Sequence, residues 1–335
     1  MKKSLKITLI VVASILVCIM GFLSVYFLWP WNRYFFDNAK EEFAIPGLDT
    51  EFVPQGMSQL AGYDDYLVSG YMNNGEPSRI YLVDGETKEA EKYITLKCEE
   101  QDYVGHAGGI VSSGSSIWLV GDGYLYRFTL NEFLRKENGE ALYVNAYTET
   151  LNGADFVIAR NGILWVGEFY REGKYDTREE HHLETRSGET NRAVAYGFTI
   201  DETKALGLYY KYNNSTPIPA MAVSLPNLAQ GMAFTSDGKI VLSTSYALAD
   251  SHLHYYENVF EEDAPSTIRY GLYDVPLWYL DEEAKISTTA IPSMSQNIFV
   301  SNDMVYILFE SASKKYKLFN RVRLNSVYSM PISAL

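Results

Sequence analysis

The chain has 335 residues, 47% of them hydrophobic and 14% aromatic, and a formal net charge of −14. That apolar content provides a sizeable core for one large domain or two small ones. The charge argues against a nucleic-acid partner, which needs clustered Lys and Arg, and against electrostatic docking onto an anionic membrane. The two cysteines, Cys18 and Cys98, give no disulfide framework, because Cys18 lies in an N-terminal apolar run.

Lys2, Lys3 and Lys6 precede an uncharged stretch from Ile7 to Trp29. A membrane span needs about 20 apolar residues. No small-x-small cleavage site follows, and Val17 stands before Cys18 where lipoprotein processing expects a small residue. The reading is an uncleaved signal anchor at 7–29, with a cleaved signal peptide as the alternative. The lysines keep residues 1–6 in the cytoplasm. Trp29, Trp31, Tyr34, Phe35 and Phe36 then read as an aromatic belt on the outer side, and 30–50 as a juxtamembrane stalk.

From residue 51 one pattern recurs. "QGMSQLAGYDDYLVSGY" runs from Gln55 to Tyr71, and "QGMAFTSDGKIVLSTSY" from Gln230 to Tyr246. Variants run from His106 to Asp122 and from Asn152 to Glu168, and a looser one from Gln296 to Ser311 or Glu310. Each copy predicts two antiparallel strands around a polar turn, followed by third and fourth strand-like runs. For the fourth copy the third run is "RYGLYDVPLWYLD". For the fifth, the third and fourth runs are "KYKLFNRVRL" and "SVYSMPI". Four strands per unit, repeated about every 50 residues, predict an all-β fold. It is a β-propeller over 51–335, with five blades, or six if one is degenerate, behind one transmembrane helix. The polar stretches 170–192 and 248–266 read as loops inserted in blades three and four. "EEFAIPGL", before the first copy, is expected to give the last blade an outer strand and close the ring.

The Gln-Gly-Met motifs, the His-Ala-Gly-Gly variant and this strand grammar resemble bacterial extracytoplasmic propellers, loosely the SMP-30/gluconolactonase-like and NHL/YncE-like groups. In SMP-30-like enzymes a Glu-Gly-Pro supplies a calcium ligand. Here the matching places are Gln55-Gly56-Met57 and Gln230-Gly231-Met232, which weighs against a calcium-dependent hydrolase.

Innermost strands of a propeller line its channel, so the repeated registers are expected around one mouth. One ring would be Gln55, His106, Asn152, Gln230 and Gln296. The next would be Tyr71, Asp122, Glu168 and Tyr246, with Ser311 or Glu310. These amides, acids and tyrosines suit a neutral polar small molecule, a glycan or a protein partner. The expected role is binding at the cell envelope, with no cofactor or metal. The alternative is a lactonase, esterase or glycosidase at the same mouth. Such a hydrolase would use His106 as base or Asp122 with Glu168 as paired carboxylates, with calcium on Asp122, Asn152 and Glu168 as a further option. His181, His182, His252 and His254 fall in the inserts and read as solvated. No Gly-x-Ser-x-Gly elbow or phosphate loop is present.

Overall fold

The computed structural model describes residues 2–28, 31–144, 146–210 and 216–335. Five radial sheets each carry a hairpin-connected run of strands from the axis outward. The innermost strands are Phe52–Gln59, Gly109–Ser113, Phe156–Arg160, Ala229–Phe234 and Ser295–Ser301. Each neighbours the next, and the fifth neighbours the first, so the ring is closed. Five apolar clusters fill the five spaces between blades. The last space holds Phe299 and Leu308 of blade five against Phe52, Met57 and Tyr66 of blade one. Among the described residues there is no sixth blade.

The first hairpins follow from local sequence. Alternation buries one residue in two near the outer edges, as in Ala90–Cys98, whereas central strands such as Ser116–Gly121 are buried on both faces. The tight turns need positive φ: Asn161 and Gly162 adopt 50° and 76°, and Asn302 and Asp303 adopt 51° and 58°.

The closing strand comes from the N-terminal side. Lys40–Ala44 pairs antiparallel with Ser326–Pro331, and the Ser326 and Ser329 hydroxyls donate to Glu41 and Glu42, each at 2.6 Å. The stretch read as a stalk is therefore partly a blade. A short helix, Arg33–Asn38, precedes the closing strand. Phe35 is buried, edge-on to Phe309 at 5.9 Å, in the cluster between blades four and five. Phe35 thus leaves the expected aromatic belt, because an internal cavity takes its ring out of water. Tyr34 and Phe36 remain exposed, and Trp29 lies outside the described residues. A 27-residue helix, Lys2–Leu28, contains the candidate span Lys6–Tyr26, with mean hydropathy 2.7.

Strand assignment in the later blades departs from the sequence reading. The third strand of blade four is Ser251–Tyr256, inside the stretch expected to be a loop. The hairpin Ser266–Tyr270 and Tyr273–Tyr279 instead extends blade three, pairing in parallel with its fourth strand Met221–Leu225. Likewise Ala141–Val144 joins the edge of blade one, leaving Ala146–Glu149 as the outer strand of blade two. In blade five the predicted third strand is a run of turns, Ser326–Pro331 is third, and Lys40–Ala44 is fourth.

Replacing Phe35 by Ala is expected to cost about 3–5 kcal/mol, whereas Phe36→Ala should cost under about 1 kcal/mol. Urea denaturation of the two variants in detergent measures the difference.

Candidate functional site

The start of each first strand and the end of each second strand lie on one face of the ring. The innermost backbones crowd together there. A Cβ on Gly56 would stand 2.7 Å from the backbone N of Ile110, and one on Gly109 2.7 Å from that of Val157. On Gly231 it would stand 2.9 Å from the backbone N of Ile298. This succession fixes the true register, in which Gln55, Gly108, Asp155, Gln230 and Gln296 are equivalent. The expected ring was offset in blades two and three, where His106 and Asn152 lie two and three residues too early.

β-Bulges explain the three glutamines. The ladder skips Gln55 between Pro54 and Gly56, Gln230 between Ala229 and Gly231, and Gln296 within Ser295–Ile298. A bulge leaves its extra residue unpaired and re-aims the side chain. All three amides line an axial cavity of about 340 Å³.

Three carboxyls line that cavity, Asp122, Asp155 and Glu310, of which the last two keep their protons to near neutrality. Glu310 accepts from Gln55 Nε2 at 2.8 Å and also hydrogen-bonds Gln296. Burial pushes its pKa up to about 7, against those amide bonds and nearby Lys315. Asp155 accepts the Phe169 N–H at 2.7 Å. Burial raises it to about 7 as well, with Glu168 and Asp122 adding to the rise. Neither Asp155 nor the importance of Glu310 over Ser311 was singled out from sequence; the Asp in "GADF", aligned on strand pairing, is the signal for the first.

His106 and Asp122 also line the cavity, with the His106 N–H donating to Asp122 Oδ2 at 3.2 Å. Crowding holds the imidazole below its ordinary pKa, although Asp122 acts in the opposite direction. Tyr71 stacks on His106 at 5.0 Å and its hydroxyl accepts from Lys315 at 2.6 Å. Tyr246 lines the opposite wall, stacked on Phe169 at 6.4 Å under the guanidinium of Arg171 at 4.9 Å. Tyr175, Lys174 and Tyr316 complete the rim.

Asn152 and Glu168 sit behind this wall. The Asn152 amide donates to the carbonyls of Val166 and Val194, and its oxygen accepts from Thr150. Glu168 accepts from the N–H groups of Gly153 and Val194 and pairs with His181 Nδ1 at 2.7 Å. His181 Nε2 reaches the Tyr196 hydroxyl at 3.0 Å. His181 is 1% exposed, so the insert of blade three is pinned from below and not solvated there. His254 lies on a strand between Thr244 and Thr288, and burial lowers its pKa to about 4. His182 meets Thr177. Among the described residues no three His, Cys, Asp or Glu side chains group as a metal site.

The chain thus carries a five-bladed propeller with an amide- and acid-lined axial cavity. No family model matches it, and no curated protein does. Solved structures to which the chain is similar include two at about one-tenth identity. Myxococcus xanthus glutaminyl cyclase has 10% identity and a TM-score of 0.45, with 88% of this chain and 97% of that one covered. Streptomyces coelicolor aldose sugar dehydrogenase, bound to PQQ, has 12% and 0.46, with 87% and 96% covered. The β-propeller domain of Myceliophteria thermophila Cps50 (Swd1) has 8% and 0.37, with 81% and 96% covered.

Two outcomes follow from this geometry. The native chain keeps protons on Asp155 and Glu310 up to about pH 7, whereas unfolded carboxyls release theirs near 4. The stabilisation from these groups is complete below about pH 4 and is lost as pH rises through 7. The double variant Asp155→Asn, Glu310→Gln should therefore lose less stability between pH 5 and 8 than the parent in urea titrations. Separately, His181→Ala leaves Glu168 buried without its partner and should cost about 3 kcal/mol or more, measured by the same titration at one pH.

Proposed function

We propose that this is a single-pass membrane protein, N-terminus in the cytoplasm, whose extracytoplasmic propeller binds a neutral polar ligand at the axial mouth. The carrying observation is the pairing of three bulge-directed amides with two proton-retaining carboxyls in one cavity beneath Phe169, Tyr175, Tyr246 and Tyr316. Amides donate and accept, and a protonated carboxyl does both. Aromatic faces cover the C–H surface of a sugar ring or a proline. A strongly anionic ligand would oppose the acids as they deprotonate, so sugars and short peptides fit best.

The apolar helix supports anchoring, and Lys2, Lys3 and Lys6 support the orientation. A hydrolase at the same mouth is the second reading. It rests on Asp155 and Glu310, since a carboxyl that titrates near neutrality serves as general acid or base. The pair first expected, Asp122 with Glu168, is split by the cavity wall.

Full-length protein in detergent, screened by thermal shift against sugars and peptides, tests the binding reading. A ligand at a hundred times its Kd stabilises the fold by about 2.7 kcal/mol. Tyr246→Ala and Gln296→Leu should each weaken that ligand by at least about tenfold, or 1.4 kcal/mol. Asp155→Asn with Glu310→Gln should largely retain it. Turnover of a screened compound that vanishes in this last variant would instead establish the hydrolase. A screen without any shift overturns the binding reading.

A further inference from the structure

The segment Ser311–Asn325, which follows the second strand of blade five, joins two parts of the molecule. On one side it supplies Tyr316 to the cavity and Lys315 to Tyr71. On the other it meets the apolar helix, where the Tyr26 hydroxyl donates to the Phe319 carbonyl at 3.3 Å. The Arg321 guanidinium lies 4.3 Å over the Trp31 ring and pairs with Asp250. Asn32 donates to the same Asp250 at 3.1 Å. Asp250 ends the loop that gives Ser245, Tyr246 and Ala247 to the cavity. The helix therefore leaves the propeller at the rim of the mouth, between blades four and five.

That rim differs in character from the rest of the chain. Ser311–Asn325 contains Lys314, Lys315, Lys317, Arg321 and Arg323 and no acid, within a chain of net charge −14. Leu318 and Phe319, at its tip, are 71% and 69% exposed. Val104 and Leu248, on other mouth loops, are exposed too.

From this continuity and charge complementarity we infer that the mouth face rests on the outer surface of the membrane carrying the helix. Leu318 and Phe319 enter the interfacial zone, and the exposed Lys317 and Arg323 meet lipid phosphates, while Lys314, Lys315 and Arg321 hold the loop to Glu51, Tyr71 and Asp250. An apolar tip with basic flanks gains both apolar burial and attraction to anionic headgroups. The net charge of −14 opposes such docking for the chain as a whole, but basic residues are concentrated on this loop. The axial site would then draw its ligand from the layer next to the bilayer. The inference rests on the anchored reading, not on the ligand.

The test uses full-length protein in vesicles containing anionic phospholipid, with Cys18→Ser and Cys98→Ser. An environment-sensitive fluorophore is placed at Phe319→Cys, or as control at Tyr63→Cys, an exposed position in the turn between the first two strands of blade one, on the face away from the mouth. Lipids brominated near the headgroup should quench the first and leave the second bright, while aqueous iodide should do the reverse. In parallel, the unmodified chain should be cut by trypsin between Lys314 and Arg323 in detergent but not in vesicles. Lys204, in the turn after the strand Ala193–Thr199 on the face away from the mouth, should be cut in both. Protein that floats with vesicles but shows iodide quenching at 319 and cleavage in the loop overturns the docking alone. Protein that does not float at all overturns the anchored reading and this inference together.

Discussion

The whole arrangement depends on one antiparallel pairing, that of Lys40–Ala44 with Ser326–Pro331. A row of blades left open would expose backbone donors and acceptors along both end sheets, an invitation to aggregate. Here the N-terminal segment completes the C-terminal blade, with Ser326 and Ser329 held by Glu41 and Glu42. Because this strand lies only about a dozen residues beyond the apolar helix, the closure also fixes where that helix departs. Fold closure and the point where the apolar helix departs are set by the same short stretch of chain.

Closure determines the site as well. Strands brought to one axis crowd their backbones, which is why Gly56, Gly109 and Gly231 stand in blades one, two and four, while Phe156 and Asn297 hold the equivalent places in blades three and five. The ladder accommodates this crowding with bulges, and the bulged residues, Gln55, Gln230 and Gln296, turn into the cavity. Each amide is thus displayed by a backbone irregularity that the sheet needs for geometric reasons. Asp155 and Glu310, drawn into the same low-dielectric space, keep their protons to near neutrality because only amides and one lysine compensate their burial.

Much of this could be read before any coordinates. Recurrence of Gln-Gly-Met and its variants marks five blades and places Gln55, Gln230 and Gln296 at one ring position, and "EEFAIPGL" marks the closing strand. What escaped had physical causes. His106 and Asn152 were placed by equal spacing to the next polar residue, but blades one, four and five carry bulges that blades two and three lack, so equal spacing does not mean equal register. Ser251–Tyr256 was read as a loop because its histidines look polar, whereas His254 is satisfied by two threonines. The pairing of Ser266–Tyr279 with blade three is a long-range choice that no local pattern encodes. His181 looked solvated within a charged insert, and only its fit beneath Glu168 and Tyr196 buries it.

The insert of blade three shows how a polar stretch can be both structural and exposed. Its base is tied by His181 to Glu168, and its hairpin turn by Arg186, which makes two bonds to the buried Asp281. Between these fixed points and the blade, Arg171, Lys174 and Tyr175 are presented at the mouth, the first two over Tyr246. On the far side of the cavity Lys315 and Tyr316 are presented by the segment that also meets the apolar N-terminal helix. The two walls of the mouth thus hang from different supports. One is a buried carboxylate–imidazole contact within a blade, and the other is a loop linked to the helix. The supports are not independent, because Asp250, which ends the loop carrying Tyr246, pairs with Arg321 and accepts from Asn32, so both walls of the mouth meet at the segment beside the apolar helix.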